Sequence, residues 1–260
     1  MVQTDSPAPT VGLALSGGVM RGATHLGVLA ALEAAGIGVD CVAGSSAGAL
    51  VGALYCAGLS VAKITELAAA TGWRNVAGLT WPGRGFVSFA KMEAWLVKTL
   101  GDLRFADLKR PLAVVATDLE RGRPVMFTAG RLAPTVRASC SVPGFVTPVE
   151  LEGRLLGDGG VSNNLPVSAV RELGADYVIG VDLFIPVVRR RLGPFGFGLA
   201  AIETLVRRSG GGVDAADCLI SPALAGVSYF STSHNEQLIA LGKSATRQVL
   251  PAIQAALGSG

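Results

Sequence analysis

Residues 39–53 read VDCVAGSSAGALVGA, and the rest of the fold is arranged around this stretch. Its first half is a short apolar run typical of a buried strand, and its last residues are small and favour a helix. Between them lies a Gly-x-Ser-x-Gly pentapeptide whose outer residues, Gly44 and Gly48, leave room for a sharp turn from strand to helix. Such a turn presents Ser46 Oγ at a helix N-terminus, where unpaired backbone N–H groups favour negative charge. The stretch therefore predicts a nucleophilic serine, with a chance match in this glycine-rich chain as the alternative.

The composition is that of a protein with a substantial core. Half of the 260 residues are hydrophobic and 16% are charged, which argues against disorder. The net charge of +3 is too small to indicate a nucleic-acid surface. The sequence contains neither a zinc-like Cys/His spacing nor a Walker A motif. We expect one domain over residues 11–260, preceded by a flexible N-terminal tail at residues 1–10.

Several features predict a soluble protein of the cytoplasm. Residues 1–10 contain no basic residue ahead of the first apolar run, so a secretory signal peptide is not expected. Residues 37–62 contain no Lys or Arg, but Asp40 and the many Gly, Ser and Ala residues argue against a membrane span. The cysteines are expected to be buried free thiols in a reducing compartment, with a disulfide as the alternative. They are Cys41, Cys56, Cys140 and Cys218.

Short apolar runs alternate with helical segments, which predicts an α/β protein with a largely parallel sheet covered on both faces. The predicted strands cover residues 11–15, 39–45, 112–117, 123–128, 149–156 (as a hairpin), 176–183 and 218–220. The predicted helices cover residues 23–35, the segment after Ser46, 61–71, 89–100, 132–138, 166–173, a segment closed by Arg207 and Arg208, and a last helix capped by Ser233. Pro251 should kink or end that last helix, and residues 72–85 are predicted to be a long loop.

Residues 16–22, SGGVMRG, form a glycine-rich loop between a predicted strand and a predicted helix. A loop of this kind exposes consecutive backbone N–H groups, which can bind phosphates or oxyanions. The Gly-x-Gly-x-x-Gly spacing of dinucleotide-binding loops is absent. We therefore interpret the loop as a source of oxyanion stabilisation next to a nucleophile.

Two different residues could act as the base for Ser46. The order Ser46, Asp158, His234 matches the α/β-hydrolase triad, although the serine follows only the second predicted strand and His234 begins a capped helix. Alternatively, Asp158 could take the proton directly if burial raises its pKa. A third interpretation gives Asp158 no catalytic role and places it in an ordinary Asp-Gly turn. The residues alone leave these alternatives open.

The chain resembles the bacterial patatin-like phospholipases, including the domain shared with neuropathy target esterase. Four segments carry the resemblance in the family's order: Gly17–Gly22, Gly44–Gly48, Ala138–Phe145, and Asp158-Gly159-Gly160 followed by Asn164-Leu165-Pro166. The resemblance implies a three-layer α/β/α fold with a mostly parallel central sheet. It also implies a serine lipid acyl hydrolase, a phospholipase A or lysophospholipase, that uses no metal or organic cofactor.

The resemblance further implies roles for individual residues. Ser46 and Asp158 would form a catalytic dyad. The supporting residues would be Gly17, Gly18, Arg21 and Gly22 in the oxyanion hole, Gly44 and Gly48 in the nucleophile elbow, and Gly159, Gly160 and Asn164 in the loop of the aspartate. Arg21 in a structural ion pair is the alternative for that residue, and His25 is expected to pack within the first helix. A broad carboxylesterase or thioesterase, and a non-catalytic lipid-binding regulatory protein, are the alternative functions.

Residues 189–199, RRRLGPFGFGL, join an arginine cluster to an apolar segment. Basic residues attract anionic headgroups, and Phe195 and Phe197 could insert into lipid. We expect Arg189–Leu199 to make peripheral contact with the inner membrane surface, where phospholipid or lysophospholipid substrate is found. A solvated arginine cluster beside a core segment is the alternative.

Overall fold

The computed structural model of the chain describes residues 9–80, 83–186, 188, 190–227 and 234–258. Ten strands lie in this part of the chain. They are β1 (Val11–Leu15), β2 (Cys41–Ser45), β3 (Gly78–Leu79), β4 (Val87–Ser88), β5 (Leu112–Asp118), β6 (Arg123–Phe127), β7 (Val149–Leu151), β8 (Arg154–Asp158), β9 (Tyr177–Val181) and β10 (Cys218–Ile220).

Eight of these strands form the central sheet, in the order β10-β9-β1-β2-β5-β8-β7, with β6 also paired to β5. All pairs from β10 to β5 are parallel, whereas β6, β7 and β8 pair in antiparallel fashion. Strands β3 and β4 form a separate antiparallel pair. The predicted mostly parallel sheet is therefore confirmed, with an antiparallel extension on the side of β5.

Ten α-helices surround the sheet among the described residues. They are α1 (Ala23–Ala34), α2 (Ala47–Cys56), α3 (Val61–Ala70), α4 (Trp73–Val76), α5 (Ala90–Leu100), α6 (Leu132–Ser139), α7 (Val167–Glu172), α8 (Pro194–Arg208), α9 (Gly212–Ala215) and α10 (Asn235–Gly258). Short 3-10 turns lie at Val19–Gly22, Phe105–Asp107, Gly159–Val161, Arg190–Leu192 and Ser209–Gly211.

Side chains of the central strands alternate between two hydrophobic cores, one on each face of the sheet. Leu13, Leu15 and Val42 belong to a core that also contains residues of α1, α2 and α10. Ala14 and Ala43 belong to the second core, to which α7 contributes. This alternation is the period of two that a strand imposes on its side chains. The chain is thus a three-layer α/β/α protein, as the resemblance implied.

The parallel register brings three loops to one edge of the sheet. Leu15, at the end of β1, pairs with Gly44 of β2 on one side and with Val181 of β9 on the other. The residues that follow these three strands therefore lie side by side, at the edge where parallel sheets usually bind ligands. Ser46 is one of them.

One prediction about secondary structure was wrong, and one of two alternatives for the last helix is excluded. Residues 72–85 are not one loop, because they contain α4 and β3. Strand β3 pairs with β4. At the start of β4, the N–H groups of Phe86 and Val87 both donate to Phe145 O. Pro251 was expected to kink or end the last helix; α10 does not end there but continues to Gly258, and a kink at Pro251 stays a prediction. A proline removes one backbone donor, and the fully buried Ile253 anchors the turns beyond it to the core.

The other predicted helices and strands are confirmed to within a few residues. Four parts of the sequence predictions lie outside the described residues: positions 1–8 of the expected tail, Trp81 and Pro82, Arg189, and the Ser233 cap. All four cysteines are free thiols. Among the described residues, every helix is too short or too polar to cross a membrane.

Candidate active site

Ser46 lies in the sharp turn between β2 and α2, with a backbone φ of 52°. A positive φ is unusual for a residue other than glycine and marks local strain. The turn tolerates no bulk on either side of the serine. A Cβ at Gly44 would lie 2.5 Å from the Ala49 nitrogen, and one at Gly48 would lie 2.2 Å from Leu15 O. These two glycines therefore occupy the places that the pentapeptide predicted for them.

Ser139 holds the backbone of Ser46 in this turn. Its buried hydroxyl accepts a hydrogen bond of 2.8 Å from Ser46 N–H and donates one of 2.6 Å to Val115 O. The strained residue is thereby tied to β5 through a single side chain. Sequence reasoning included Ser139 in a matching segment but assigned it no role, because nothing local indicates which backbone a serine 93 residues away will contact.

Asp158 reaches Ser46 through the register of β8. Ser45 pairs with Val115 of β5, and the next residue of β5, Ala116, pairs with Asp158. Ser46 Oγ donates a hydrogen bond of 2.6 Å to Asp158 Oδ2. The two residues are 7% and 6% exposed, so the pair is largely shielded from water.

The loop after Asp158 supports its carboxylate. Gly160 N–H donates to Asp158 Oδ1 at 2.8 Å. Gly159 must remain a glycine, because a Cβ there would lie 2.2 Å from Val115 O. Gly159 therefore lets the loop after Asp158 pass close to β5, while the backbone N–H of Gly160 faces the carboxylate.

Burial raises the pKa of Asp158 from 3.8 to about 6. The hydrogen bonds from Ser46 and Gly160 oppose this shift, since they stabilise the carboxylate. At neutral pH the group is ionised, yet it binds a proton more readily than an exposed aspartate. Burial also raises the pKa of the neighbouring Cys140 thiol well above its ordinary value, and the charge of Asp158 adds to that effect.

The glycine-rich loop lies against Ser46 and against Asn164, a residue of the loop that follows Asp158. A Cβ at Gly17 would be 3.3 Å from Ser46 Cβ and 2.8 Å from Asn164 Oδ1. Gly17 N–H donates to Asn164 Oδ1 at 3.1 Å, so this donor is already engaged. Asn164 thus links the loop of the aspartate to the glycine-rich loop, two segments 147 residues apart in sequence. A Cβ at Gly18 would lie 2.8 Å from Leu183 Cδ1, which leaves no room for a larger residue.

Two buried polar residues, Ser16 and His25, hold the first residues of the glycine-rich loop. Ser16 Oγ donates to Gly17 O and accepts from Leu183 N–H, each at 2.9 Å. His25 Nε2 lies 2.9 Å from Ser16 O, and burial lowers the pKa of this histidine to about 4. The imidazole is therefore neutral at pH 7 and carries its proton on Nε2, because a carbonyl can only accept. His25 packs within α1, as expected.

Arg21 is buried, and its guanidinium donates hydrogen bonds to three backbone carbonyls. Its partners are Leu183 O at 3.3 Å, Leu224 O at 3.2 Å and Val227 O at 2.6 Å. These bonds join the glycine-rich loop to the segments that follow β9 and β10. The assignment of Arg21 to the oxyanion hole stays a prediction. Gly22 lines the cavity described below, and a Cβ there would lie 3.0 Å from Ala47 Cβ.

His234 is exposed and precedes α10. The hydrogen bond from the Ser46 hydroxyl goes to Asp158. Of the three residues in the alternative triad, Ser46 and Asp158 form a buried pair, whereas His234 lies on the surface.

An apolar cavity of about 480 Å³ opens from Ser46. Four helices contribute to its wall: α1 through Leu26, α2 through Leu50, α3 through Ile64 and α5 through Met92. Cys140, Val142, Phe145 and Val146 complete it near the serine. Cavities of this size and character suit the apolar part of a small ligand. No single segment of the sequence indicated this cavity, because its wall is assembled from residues 19 to 235.

The chain belongs to the patatin-like phospholipase family. The family model described as "Patatin-like phospholipase" matches residues 13–171, more than half of the chain. This range includes the glycine-rich loop, Ser46 and Asp158.

Several relatives fit this assignment. Neuropathy target esterase sws of Drosophila melanogaster is 37% identical over 182 residues, and lysophospholipase nte1 of Aspergillus fumigatus is 36% identical over 179 residues. The matches cover 67% and 66% of this chain but 13% and 12% of those proteins. An uncharacterised NTE-family protein of Mycobacterium bovis is 36% identical over 181 residues, covering 68% of this chain and 50% of that protein. The chain therefore matches only about an eighth of the first two relatives.

Solved structures share the fold. VipD from Legionella pneumophila superposes with a TM-score of 0.60 and 15% identity, covering 95% of this chain and 67% of VipD. Human GIVD cytosolic phospholipase A2 superposes with a TM-score of 0.53 and 13% identity, covering 97% of this chain and 59% of that chain. At these identities the comparison concerns the fold alone.

Proposed function

We propose that residues 11–260 form one domain that hydrolyses fatty acyl esters of phospholipids or lysophospholipids. The observation that carries this proposal is the buried 2.6 Å hydrogen bond from Ser46 to Asp158 beside an apolar cavity. A serine nucleophile needs an adjacent base, and a lipid substrate needs a dry site for its acyl chain. The bond to Asp158 supports the first requirement, and the apolar cavity next to Ser46 supports the second.

In the proposed first step, Ser46 Oγ attacks the carbonyl carbon of the ester while its proton moves to Asp158 Oδ2. A tetrahedral oxyanion forms and then collapses, which breaks the bond to the alcohol oxygen. That oxygen leaves with the proton from Asp158, and the acyl group remains on Ser46. The raised pKa of Asp158 suits both transfers, because the carboxylate accepts and returns a proton near neutral pH.

In the second step, water attacks the acyl-enzyme. Asp158 takes a proton from the water and returns it to Ser46 Oγ as the fatty acid leaves. Apart from the substrate and this water, the scheme uses only side chains and backbone groups of this chain.

Oxyanion stabilisation is assigned to the glycine-rich loop. Since Gly17 N–H already donates to Asn164, we assign Gly17 a positional role and expect the next backbone donor, that of Gly18, to face the oxyanion. Removing one such donor typically costs about 2.7–4 kcal/mol of transition-state stabilisation. Arg21 supports this loop through the carbonyls that its guanidinium binds.

The proposed place of action is the cytoplasm, at the inner surface of the membrane. Free thiols at all four cysteines support a reducing compartment. The expected contact through Arg189–Leu199 would bring the site to its phospholipid or lysophospholipid substrate. Relatives named as lysophospholipases support the lipid class, although this chain matches only part of them.

The function is tested by fatty-acid release from a panel of phospholipids, lysophospholipids, neutral glycerides and short soluble esters, measured by mass spectrometry. Ser46→Ala protein provides the blank. We expect wild-type protein alone to release fatty acid from the phospholipid or lysophospholipid members.

Other outcomes would replace the proposal. Faster turnover of short soluble esters or thioesters than of lipids would indicate a broad carboxylesterase or thioesterase. No release above the blank by folded wild-type protein would indicate a non-catalytic lipid-binding protein.

A further inference from the structure

Helix α8 has its polar and apolar sides reversed relative to an ordinary surface helix. The three buried residues among its fifteen are Gly196, Ala200 and Glu203. Its large apolar residues are exposed, with Phe195 at 83%, Ile202 at 59% and Leu205 at 71%. A surface helix normally buries its apolar stripe and exposes its charges.

Four of the five exposed large apolar residues of α8 form one continuous face, and the fifth, Phe197 (56% exposed), lies off that face. Phe195, Leu199, Ile202 and Leu205 follow one another at spacings of four, three and three residues, which places them on one side of a helix. We call these four residues the outer face of α8. Contiguous apolar surfaces of this kind mark interaction sites.

Polar contacts on the opposite side hold the helix in this orientation. Arg207 Nε donates to the fully buried Asp182 at 2.6 Å. Ser209, directly after α8, donates to Gly160 O at 2.9 Å and accepts from Asn164 N–H at 3.0 Å. The end of the helix is thus bonded to the same loop that carries Asp158.

Basic residues flank the outer face. Arg190 and Arg191 are exposed in the 3-10 turn just before α8, and Arg208 is exposed at its last position, where it pairs with Asp214. Arginines beside an inserted apolar face attract anionic headgroups, whereas a protein interface usually depletes charge at its centre and needs a matching surface.

We propose that the outer face of α8 is the membrane-docking surface of this protein, and that it inserts among lipids of an anionic bilayer. This inference rests on the proposed function, since a docked α8 would hold the Asp158 loop near the lipid surface. It also changes the expected contact: the inserting residues extend along the helix to Leu205, beyond the segment that ends at Leu199.

Binding is tested with Ser46→Ala protein, so that hydrolysis plays no part in the measurement. Vesicles of phosphatidylcholine alone, and of phosphatidylcholine with phosphatidylglycerol, are mixed with the protein and separated by flotation. The double variant Ile202→Asn, Leu205→Asn removes two large apolar side chains without changing charge. We expect it to weaken partitioning to both kinds of vesicle by about tenfold or more.

Two further variants separate the contributions. Arg190→Gln with Arg191→Gln should weaken binding only to the anionic vesicles, by about fivefold for each arginine. Leu79→Asn is the matched control, because Leu79 is an exposed leucine (94%) outside α8. Its binding should equal that of the parent protein.

Three results would overturn the docking proposal. They are unchanged binding by the α8 double variant, an equal loss in Leu79→Asn, and a lipid-free dimer by light scattering that the α8 double variant abolishes. The last would mean that a second copy covers the face. Any of these results combined with fatty-acid release by wild-type protein would remove the docking surface and leave the proposed hydrolase intact.

Discussion

At the scale of single residues, the chemistry of the site depends on how Asp158 is buried. Its carboxylate accepts hydrogen bonds from Ser46 and Gly160. Its pKa nevertheless lies near 6, because the loss of hydration on burial outweighs these two bonds. A general base works best when its pKa is close to the working pH. In the proposed mechanism, burial thus makes Asp158 a usable base.

The dyad predicts a specific response to substitution and to pH. Asp158→Asn should lower kcat/KM by on the order of 10²–10⁴, because the variant cannot accept the proton of Ser46. In wild-type protein, kcat/KM should rise as Asp158 loses its proton and reach half of its plateau near pH 6. Initial rates on a soluble ester over acid to neutral pH would measure both effects.

His234→Ala is the control for this experiment. Because His234 is exposed and the Ser46 hydroxyl donates to Asp158, the variant should keep its activity within about twofold. A large loss in His234→Ala together with a small loss in Asp158→Asn would replace the dyad by a triad.

Asp158→Asn should also stabilise the fold, by an amount that depends on pH. A carboxyl whose pKa is raised on folding contributes stability below pH 3.8 and loses that contribution as the pH rises to about 6. The variant lacks the buried charge, so above this window its free energy of unfolding should exceed that of wild type by about 2–3 kcal/mol. Urea unfolding at several pH values would show the gain appearing through the window.

Glu66→Gln provides the comparison, since Glu66 is an exposed carboxylate on α3. Its effect should stay within about 0.5 kcal/mol at every pH. An Asp158→Asn variant that is less stable than wild type throughout would show that the lost hydrogen bonds outweigh the cost of burying the charge.

At the scale of elements, α2 connects Ser46 to the apolar cavity. The helix begins next to Ser46, and Ala47, Leu50, Val51 and Leu54 all line the cavity. Leu54 is eight residues from the serine, which corresponds to about 12 Å along a helix. The side chain at this position therefore limits how far an acyl chain can extend along α2.

Leu54→Ala should shift the preference of the enzyme toward longer acyl chains. The substitution lengthens the cavity, and each additional buried methylene contributes about 0.8 kcal/mol, or roughly fourfold in relative rate. The measurement is the ratio of kcat/KM for substrates that differ only in chain length.

Leu32→Ala is the matched control for this prediction. Leu32 is equally buried in the same hydrophobic core but does not line the cavity. Both variants should lose about 2–5 kcal/mol of stability, and only Leu54→Ala should change the ratio. An equal change in both variants, or none in Leu54→Ala, would contradict the role of α2.

At the scale of the whole molecule, the fold is closed by contact between α1 and α10, near opposite ends of the described chain. The two helices meet at glycines: a Cβ at Gly27 would lie 2.0 Å from Ile239 O, and one at Gly242 would lie 2.2 Å from Thr24 O. The backbones therefore approach more closely than any side chain would allow.

Gly242→Ala should lower the free energy of unfolding by about 1–3 kcal/mol, because the added methyl group overpacks this contact. Gly198→Ala is the control within another helix, where a Cβ meets open space. It should raise stability by about 0.5–1 kcal/mol, since alanine favours a helix over glycine. Thermal or urea unfolding of both variants compares them, and a stabilised Gly242→Ala protein would refute the close contact.

Local sequence was sufficient for many individual elements. Strand β2, the turn at Ser46 and helix α2 were predicted because their signals lie within fifteen adjacent residues. The β3 segment was missed because β4, its partner, is held by Phe145, which is distant in sequence. The sequence left open whether the last helix continues past Pro251, because the burial of Ile253 is a tertiary contact.

By itself, the sequence determined an α/β protein with a largely parallel sheet covered on both faces and with a serine in a sharp turn, since apolar periodicity and glycine spacing act over short distances. Only the tertiary structure decided which group faces Ser46, because the register of β8 against β5 brings together residues 112 positions apart. It also decided that α8 turns its apolar side outward. The physical reason is that Arg207 bonds the buried Asp182, and this contact fixes the rotation of the helix.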